Sequence, residues 1–239
     1  MAVGFYRTRA RRLHPLTESW NGTRWRVLAT PGRSGARGGF LDGVFCGGSR
    51  CKAVGSSQLS ASRVVGLAEA WNGTSWRVVA FPSPAMASFV GVQAVSCGSS
   101  TDCVAVGLVF APVMRSLAER WHAGKWRLVR PAARSPAEAI LNGVSCTAAS
   151  RCVAVGESGA GPVLLAEAWN GTRWKVLKTP HPPRSTASLL NQVSCTSARH
   201  CVAVGSRGTG RNASALAEIW NGRTWRVSPA PAVHGKLGA

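Results

Sequence analysis

The eight cysteines of this 239-residue chain form four pairs of nearly constant spacing. Each pair brackets a loop of four or five residues between two strand-like runs, so a β-hairpin would bring both Cβ atoms to disulfide distance. We therefore predict four disulfides, with buried free thiols as one alternative. Zinc is the other, but it needs four ligands in one place and no histidine cluster accompanies the pairs, so we predict no metal and no cofactor. The pairs are Cys46/Cys51, Cys97/Cys103, Cys146/Cys152 and Cys195/Cys201.

The ten tryptophans fall into five pairs, and a glutamate stands two residues before each leading tryptophan. Indoles could form a sugar-stacking platform, but their alternation with Leu, Glu and Val at strand positions favours a structural role in a core. A carboxylate buried there needs a hydrogen-bond donor. We expect the donor to be the basic residue after the trailing tryptophan of a neighbouring repeat, or a backbone or indole N–H group. The structural set is Glu18, Glu69, Glu119, Glu167, Glu218, Trp20, Trp25, Trp71, Trp76, Trp121, Trp126, Trp169, Trp174, Trp220 and Trp225.

The remaining acids and histidines form no catalytic arrangement that the sequence reveals. The five histidines occupy unrelated repeat positions, which argues against a metal site or a triad. Asp42, Asp102, Glu138 and Glu157 are assigned to different repeats. A glycosidase pair would need at least two of Asp42, Glu138 and Glu157 within about 10 Å of each other across a central channel. We predict no catalytic residues and favour a protein that is not an enzyme.

Composition excludes several classes of protein. Hydrophobic residues make up 45% of the chain and charged residues 16%, which excludes a disordered polar chain. No stretch approaches the roughly 18 apolar residues of a membrane span, and the basic opening lacks the apolar run of a complete signal peptide. The net charge of +20 favours an anionic partner. Specific nucleic-acid binding is not expected, because aromatic residues are not interleaved with the basic ones.

The tryptophan pairs recur 48 to 51 residues apart, so the chain is an array of five repeats. Each repeat contains four strand-like runs, A to D, and in the third repeat these are predicted at 95–97, 103–107, 117–121 and 125–129. This content is typical of one four-stranded propeller blade. Because Ala2-Val3-Gly4 aligns with the end of strand B, the first blade lacks strand A and we expect an open ring. We predict one all-β propeller domain over 1–230, with repeats at 1–30, 42–80, 93–130, 142–178 and 191–229, and a flexible tail at 231–239.

The segment between strands C and D predicts a tight hairpin. Trp-Asn-Gly flanked by alternating residues indicates a two-residue type I′ turn with positive φ at both central positions. That register would place Glu69 opposite Trp76 and Leu67 opposite Val78. In the third repeat, His122-Ala123-Gly124 replaces the motif, and we expect a looser turn there.

Taken together, the motifs VSC…CVAVG and LAE-x-WNG-x-x-W resemble a β-propeller repeat of exported actinobacterial proteins. More distantly they are similar to the Asp-box turn of sialidase-type propellers and to kelch-type propellers; Gly73 and Trp76 match the Asp-box, but Trp71 stands where its Asp should be. The resemblance implies the fold and export, not sialidase chemistry. With the disulfides it implies an extracellular or cell-envelope location. An upstream segment carrying strand A and a signal peptide is a hypothesis that follows.

In such a propeller the A–B and C–D turns lie at one end, and the B–C and D–A loops lie at the other. We expect the second set to be long and variable, and to carry any binding site. The function favoured is a non-catalytic binding module for an anionic or cell-envelope ligand. The alternatives are a glycan-directed propeller hydrolase or lyase and an inactive truncated fragment. The candidate ligand-binding residues are Arg33, Arg37, Arg63, Arg134, Arg184, Arg207 and Arg211.

Overall fold

The computed structural model describes residues 1–132, 138–159, 163–180, 187–208 and 213–229. Within these ranges the chain forms strands joined by turns and loops. The described part contains no helix long and apolar enough to cross a membrane. The tail predicted at 231–239 lies outside the described residues.

The strands form five successive antiparallel units, which we call blades 1 to 5; one parallel bridge joins blades 2 and 3 into a single eight-stranded sheet. Blade 1 has β1 (Ala2–Arg7), β2 (Leu13–Trp20) and β3 (Trp25–Leu28). Blade 2 has β4 (Gly38–Gly47), β5 (Arg50–Ser60), β6 (Arg63–Trp71) and β7 (Trp76–Val79). Blade 3 has β8 (Phe89–Cys97), β9 (Cys103–Phe110), β10 (Met114–His122) and β11 (Lys125–Leu128). Blade 4 has β12 (Ala139–Ala148), β13 (Arg151–Ser158), β14 (Val163–Trp169) and β15 (Trp174–Leu177). Blade 5 has β16 (Ser188–Ser197), β17 (His200–Arg207), β18 (Ser214–Trp220) and β19 (Trp225–Ser228).

Within each blade the strands pair antiparallel in chain order. Blade 1 has three strands because its strand A is missing, as predicted. A single parallel bridge between Val64 and Phe89 is the only ladder contact between two described blades. Since the blades share almost no backbone hydrogen bonds, side chains must hold one blade against the next.

The strands are longer than the sequence predicts, and this changes one set of loops. Strand B of blade 3 continues to Phe110 and strand C begins at Met114, so three residues join them. In blade 2 only two residues join β5 and β6. The prediction of long B–C loops is therefore wrong for blades 2 and 3. The D–A connections 29–37 and 80–88 are long, as expected.

All four cysteine pairs are closed as disulfides, and the described residues include no free cysteine. In each of blades 2 to 5 the two cysteines stand directly opposite each other on strands A and B, as in the pair Cys97 and Cys103. A loop of this length stabilises the hairpin by roughly 2 kcal/mol in the loop-entropy model. Disulfides persist in oxidising compartments, so the chain belongs to one of them.

The C–D turn differs in register from the prediction. Trp71 lies opposite Trp76 and Glu69 opposite Val78, which leaves Gly73 and Thr74 as the central residues. Of the two central residues only Gly73 has positive φ (108°). The Asn72 backbone N–H donates to the Ser75 carbonyl at 3.2 Å, and the Asn72 side chain closes the turn as well. Asn72 Oδ1 accepts hydrogen bonds from the backbone N–H groups of Thr74 and Ser75, each at 2.9 Å. The register moved by two residues, so both indoles still share one face.

The third blade forms the tighter turn, contrary to prediction. His122 pairs with Lys125, and the central residues Ala123 and Gly124 have φ of 50° and 78°. Positive φ at both central positions is the requirement of a type I′ turn. Blade 3 has no asparagine at this position to accept backbone hydrogen bonds. Instead, the pairing of β10 with β11 extends one residue further, to His122 and Lys125.

Each blade has two chemically different faces. The indole face carries the Trp pair, the Glu and a leucine. The valine face carries small residues of strand C and the two residues that flank the alanine of strand B, which are both valine in blades 3 to 5, Lys and Val in blade 2, and Met and Val in blade 1. At the junction of blades 4 and 5, Trp220, Trp225 and Leu216 pack against Val153 and Val155. The same arrangement, indole face on the preceding valine face, occurs at the other three junctions.

The glutamates of blades 2 to 5 are fully buried in these junctions. Glu69 accepts a hydrogen bond from the Gly32 backbone N–H at 3.0 Å, and Glu167 accepts one from Ala132 at 2.8 Å. Both donors lie in the D–A connection of the preceding blade, directly after a proline. Of the kinds of donor predicted, the backbone N–H is thus observed for both glutamates, and among the described residues no salt bridge joins Glu69 to a basic residue.

Burial without a cationic partner favours the protonated carboxyl. Burial raises the pKa of Glu119 to about 9, and within the described part of the chain neither of its carboxyl oxygens has a hydrogen-bond partner. Burial also raises the pKa of Glu69 to about 7, although the Gly32 hydrogen bond opposes this, and that of Glu218 to about 7. Glu69, Glu119 and Glu218 are therefore neutral at acidic pH, and burial disfavours their ionisation as pH rises.

Stability should consequently fall as pH rises. Between about pH 4.5 and 9 the folded chain holds a proton on Glu119 that the unfolded chain has released, so ionising conditions favour unfolding. We expect Glu119→Gln to reduce the pH slope of the unfolding free energy by up to about 1.4 kcal/mol per pH unit. Urea unfolding of both proteins across this range measures the slope. Glu18→Gln, at the half-exposed position of blade 1, is the control. Parallel pH profiles for wild type and Glu119→Gln would contradict the prediction.

Candidate anion-binding site

A basic cleft lies at the B–C and D–A end of blades 1 and 2. Its volume is about 850 Å³, and four arginines line it: Arg7, Arg11, Arg12 and Arg37. No acidic residue lines it. Among the described residues the only ion pairs are those of Asp102, so these four guanidinium groups have no carboxylate partner in that part of the chain. The cleft is therefore strongly positive.

The β1–β2 turn positions three of the arginines. The Thr8 backbone N–H donates to the Arg12 carbonyl at 2.9 Å, and the Arg11 N–H donates to the Thr8 carbonyl at 2.8 Å. The Thr8 hydroxyl oxygen also accepts from the Arg12 N–H at 3.2 Å. Arg11 has a φ of 59°, in the left-handed region, which lets the chain reverse within five residues. Consecutive basic residues are thus held on a compact turn.

The D–A connection of blade 1 supplies the fourth arginine. The Arg37 backbone N–H donates to the Gln58 carbonyl at 2.7 Å, which fixes this segment on strand β5. A Cβ on Gly38 would lie 3.1 Å from the Leu13 carbonyl oxygen. The connection therefore passes close to β2, and Arg37 enters the cleft beside the β1–β2 turn.

The floor of the cleft is apolar. Leu13, Phe40, Val64 and Phe89 line it between the arginines. The Phe40 ring meets Phe5 edge to face at a centroid distance of 6.4 Å. Such a cleft can hold a ligand that carries negative groups on a partly apolar body.

A smaller cavity of about 160 Å³ adjoins this cleft and shares Leu13, Gly38 and Gly39 with it. Arg33 lines it, together with Tyr6 and His14, whose rings stack at 5.4 Å. The two cavities together bring five arginines to one end of blades 1 and 2.

The arginines chosen from the sequence fall in several places. Arg33 and Arg37 lie together, as described. Arg63 lies between two residues of the cleft wall, Ala61 and Val64, but does not itself line the cleft. Arg207 is on blade 5, where its Nε donates to the Ser214 hydroxyl at 3.1 Å. Arg134, Arg184 and Arg211 lie outside the described residues.

Sequence reasoning missed Arg7, Arg11 and Arg12. The run Arg7-Thr8-Arg9-Ala10-Arg11-Arg12 precedes strand C of the first repeat, which is the B–C position. Ala2-Val3-Gly4 aligns with strand B, so the alignment of the repeats alone places this run in the B–C connection of the first repeat. The densest basic segment of the chain was therefore detectable in advance.

Asp102 has a structural role. Its Oδ1 accepts from Arg120 Nε at 3.0 Å and contacts His122 Nδ1 at 2.9 Å. Burial raises its pKa, but the hydrogen bonds and positive charges of Arg120 and His122 outweigh this, so the net pKa lies below the usual value. Arg120 also donates to the Gly171 carbonyl of blade 4 at 3.4 Å. The cluster ties two hairpin turns of blade 3 to the next blade.

Glu138 and Glu157 do not belong to different blades, and the assignment made from the sequence is wrong here. Ala139 pairs with Ser158, and the Gly159 N–H donates to the Glu138 carbonyl at 2.6 Å. The two glutamates are therefore diagonal neighbours on one face of blade 4, a separation of about 7–8 Å between backbones. Asp42 lies on the innermost strand of blade 2.

The opposite end of the molecule has cavities between blades. One of about 460 Å³ between blades 4 and 5 is lined by Arg151, Trp169 and Trp220, among others. Both indoles are buried, and their N–H groups donate to the Ala149 and Ala198 carbonyls. These indoles are committed to the core, as the alternation of residues indicates, and present little surface for stacking a sugar.

No family model matches the chain, and no curated protein matches its sequence. Two structures of the Aleuria aurantia lectin, one with α-methyl-L-fucoside and one with Fucα1-6GlcNAc, resemble it. Their TM-scores are 0.60 and 0.56 and their identities 12% and 7%; they cover 98% and 96% of this chain and 74% of each lectin chain. The fold is that of a β-propeller. Identities this low show the fold alone. Within the described residues no strand of blade 5 pairs with a strand of blade 1, so this part of the propeller does not close.

The Asp102 cluster generates a stability prediction. Arg120→Ala should lower the unfolding free energy at pH 7 by about 1–3 kcal/mol, because it leaves a buried carboxylate without its main donor. The loss should shrink as pH falls through the lowered pKa of Asp102, where the carboxyl becomes neutral. Urea unfolding at pH 7 and pH 3 measures both effects. Arg127→Ala, the cross-strand neighbour without this contact, should stay within about 0.5 kcal/mol of wild type. Equal losses in the two variants would refute the role assigned to Arg120.

Proposed function

We propose that this propeller is a non-catalytic binding module that holds an anionic polysaccharide in the arginine cleft. The observation that carries the proposal is the convergence of Arg7, Arg11, Arg12 and Arg37 on one cleft without an acidic residue in its lining. Guanidinium groups bind carboxylate, sulfate and phosphate groups through paired N–H donors.

Electrostatics supports an extended ligand. The net charge of +20 attracts polyanions over a distance of several ångströms, and a cleft of one sign raises their local concentration. Arg33 in the adjoining cavity lengthens the positive surface beyond one charged group. A chain with repeated negative groups would engage both cavities at once.

The apolar floor favours a sugar over a bare polyphosphate. Phe40 and Phe89 present ring surface between the arginines, and the C–H face of a sugar ring packs well on such surface. The fold is shared with a lectin that was crystallised with fucosides, which supports carbohydrate as the ligand class. The disulfides support an extracellular or cell-envelope location, where acidic polysaccharides occur.

Binding assays with charge-matched variants test the proposal. Wild type should bind polygalacturonate and teichoic acid and should not bind dextran, which is neutral. Arg11→Ala/Arg37→Ala should weaken binding about 100-fold, since each guanidinium contributes about tenfold. Isothermal titration calorimetry at two salt concentrations gives the affinity and its salt dependence, which should become weaker in the variant.

The control is Arg127→Ala/Arg226→Ala, which removes the same charge from exposed positions on the outer strands of blades 3 and 5. It should bind almost as wild type does. If the two double variants lose affinity equally, binding depends on net charge and the cleft is not the site. If wild type binds short duplex DNA as tightly as the polysaccharide, the cleft binds polyanions in general and the assignment to polysaccharide is wrong.

A glycan hydrolase is the second candidate, favoured by the Glu138 and Glu157 pair. Their backbones are diagonal neighbours about 7–8 Å apart on one face, so both carboxyl groups can contact one ligand, as the two acids of a glycosidase do. Burial raises the pKa of Glu157, as a general acid requires, while Glu138 is exposed.

If this candidate holds, wild type releases reducing ends from an acidic polysaccharide, and Glu157→Gln loses at least 100-fold in rate while still binding it. Glu18→Gln serves as the control that keeps activity. No release of reducing ends by wild type leaves the binding module as the function.

A further inference from the structure

Two cavities at the A–B and C–D end lie at equivalent places in the repeat. Each opens between the disulfide hairpins of neighbouring blades: one of about 390 Å³ between blades 2 and 3, and the cavity of about 460 Å³ between blades 4 and 5. Each is lined by the arginine that precedes the second cysteine, Arg50 in one and Arg151 in the other. They differ two residues further along strand B, where Lys52 lines the first and Val153 the second. We call the first the Lys52 cavity.

Lys52 occupies a junction position that is valine in blades 3 to 5. Val104 and Val153 are buried there and belong to the cores that contain the indoles of the following blade. Lys52 keeps part of this contact, since its Nζ lies 4.4 Å from the centroid of the Trp121 ring. Its half-buried ammonium group nevertheless loses hydration, which a valine would not. Packing alone therefore favours valine, and what the lysine adds is a positive charge in the cavity.

Two arginines accompany Lys52 on the same face of blade 2. Arg50 lies two residues before it on strand B, and Arg77 lies in the same cross-strand row, with only Ala70 between them. Burial lowers the pKa of Lys52, and the neighbouring charges of Arg77 and Arg50 lower it further. No acidic residue lines the cavity, and among the described residues none of the three cations forms a salt bridge.

Blade 3 shows how the same position can be neutralised within the chain. Asp102 precedes the second cysteine of that blade, as Arg50 does in blade 2. The Asp102 carboxylate accepts a hydrogen bond from Arg120 Nε at 3.0 Å and compensates its charge. Blade 2 has a cation where blade 3 has this carboxylate, so the described chain supplies no compensating anion to Lys52.

We propose that the Lys52 cavity binds the phosphate or sulfate group of a small molecule. Arg50 supplies paired N–H donors that suit such a group, and Lys52 supplies a compact positive charge. Ser99 and Ser100 line the cavity from the hairpin of blade 3, and their hydroxyl groups can donate hydrogen bonds. The volume is within the range of small-molecule sites and larger than a free oxyanion needs, so a monoester fits best. This site is separate from the arginine cleft, which lies at the opposite end.

Titration calorimetry with glucose 6-phosphate tests the site. All proteins carry Arg11→Ala/Arg37→Ala, so that the arginine cleft contributes little. Lys52→Val, which copies blades 3 to 5, should weaken binding about tenfold or more, because it removes one charge-assisted contact. Lys175→Val makes the same substitution at an exposed position of blade 4 and should bind as its parent does. Glucose should not bind, and inorganic phosphate should bind more weakly than the ester. Inorganic phosphate that binds as tightly as glucose 6-phosphate would overturn the assignment to a monoester.

Lysine acetylation locates the bound group independently of affinity. With peptide mass spectrometry as the readout, glucose 6-phosphate should slow the labelling of Lys52 several-fold and leave that of Lys175 unchanged. Lys52→Val should have a urea midpoint at least as high as its parent, since valine suits the junction. Equal affinity of Lys52→Val and its parent would overturn the proposal, and so would equal protection of the two lysines. A lower midpoint for Lys52→Val would contradict it as well, because the lysine would then serve the packing on Trp121.

Discussion

The architecture depends on the packing of an indole face against a valine face. Within a blade the strands are joined by backbone hydrogen bonds, but between described blades the ladder contributes a single bridge. The cohesion of the propeller must therefore come from side chains, and the paired indoles supply the largest apolar area, with ring centroids 5.5–5.7 Å apart in each blade. Small residues and valines on the opposite face let the blades approach closely enough for the indoles to be covered. Trp25 shows the converse, since without a preceding blade the same residue is half exposed.

Burying a carboxyl group in the middle of this apolar contact costs desolvation free energy, which burying a leucine would not. In Glu69 and Glu167 a backbone N–H from the preceding blade offsets part of it. Such a hydrogen bond forms only when the blades meet in one relative position, whereas apolar packing tolerates sliding. Glu69 and Glu167 therefore specify alignment between blades more than they add stability. The raised pKa values follow from this placement, because a neutral carboxyl is far less costly to bury than an ion.

The spacing of cysteine and tryptophan was sufficient to predict the blades, the disulfides and the open ring, because each of these depends on repeated local pairing. The conformations of the C–D turns were harder to predict, because they depend on which side chains accept hydrogen bonds from the backbone. Asn72 closes its turn with its side chain, and so the expected register was two residues out, while Ala123 and Gly124 adopted the tight turn expected of the others. Of the arginines chosen from the sequence, Arg33 and Arg37 line the two adjoining cavities, but their convergence with Arg7, Arg11 and Arg12 depends on how blade 1 packs on blade 2. Spacing along one chain does not encode that distance.

The two ends of the propeller differ in how much freedom they leave for binding. At the A–B and C–D end, disulfides, asparagine-closed turns and the Asp102 cluster use most polar groups internally. Outside the Lys52 cavity, any ligand there would compete with hydrogen bonds that hold the blades in shape. At the opposite end the arginines are attached to a turn and a connection whose own backbone hydrogen bonds are satisfied, so their side chains are not needed for the fold. Because the scaffold does not consume these charges, they can change in number and position without disturbing the junctions, and this is the end at which specificity for a ligand can be adjusted independently of stability.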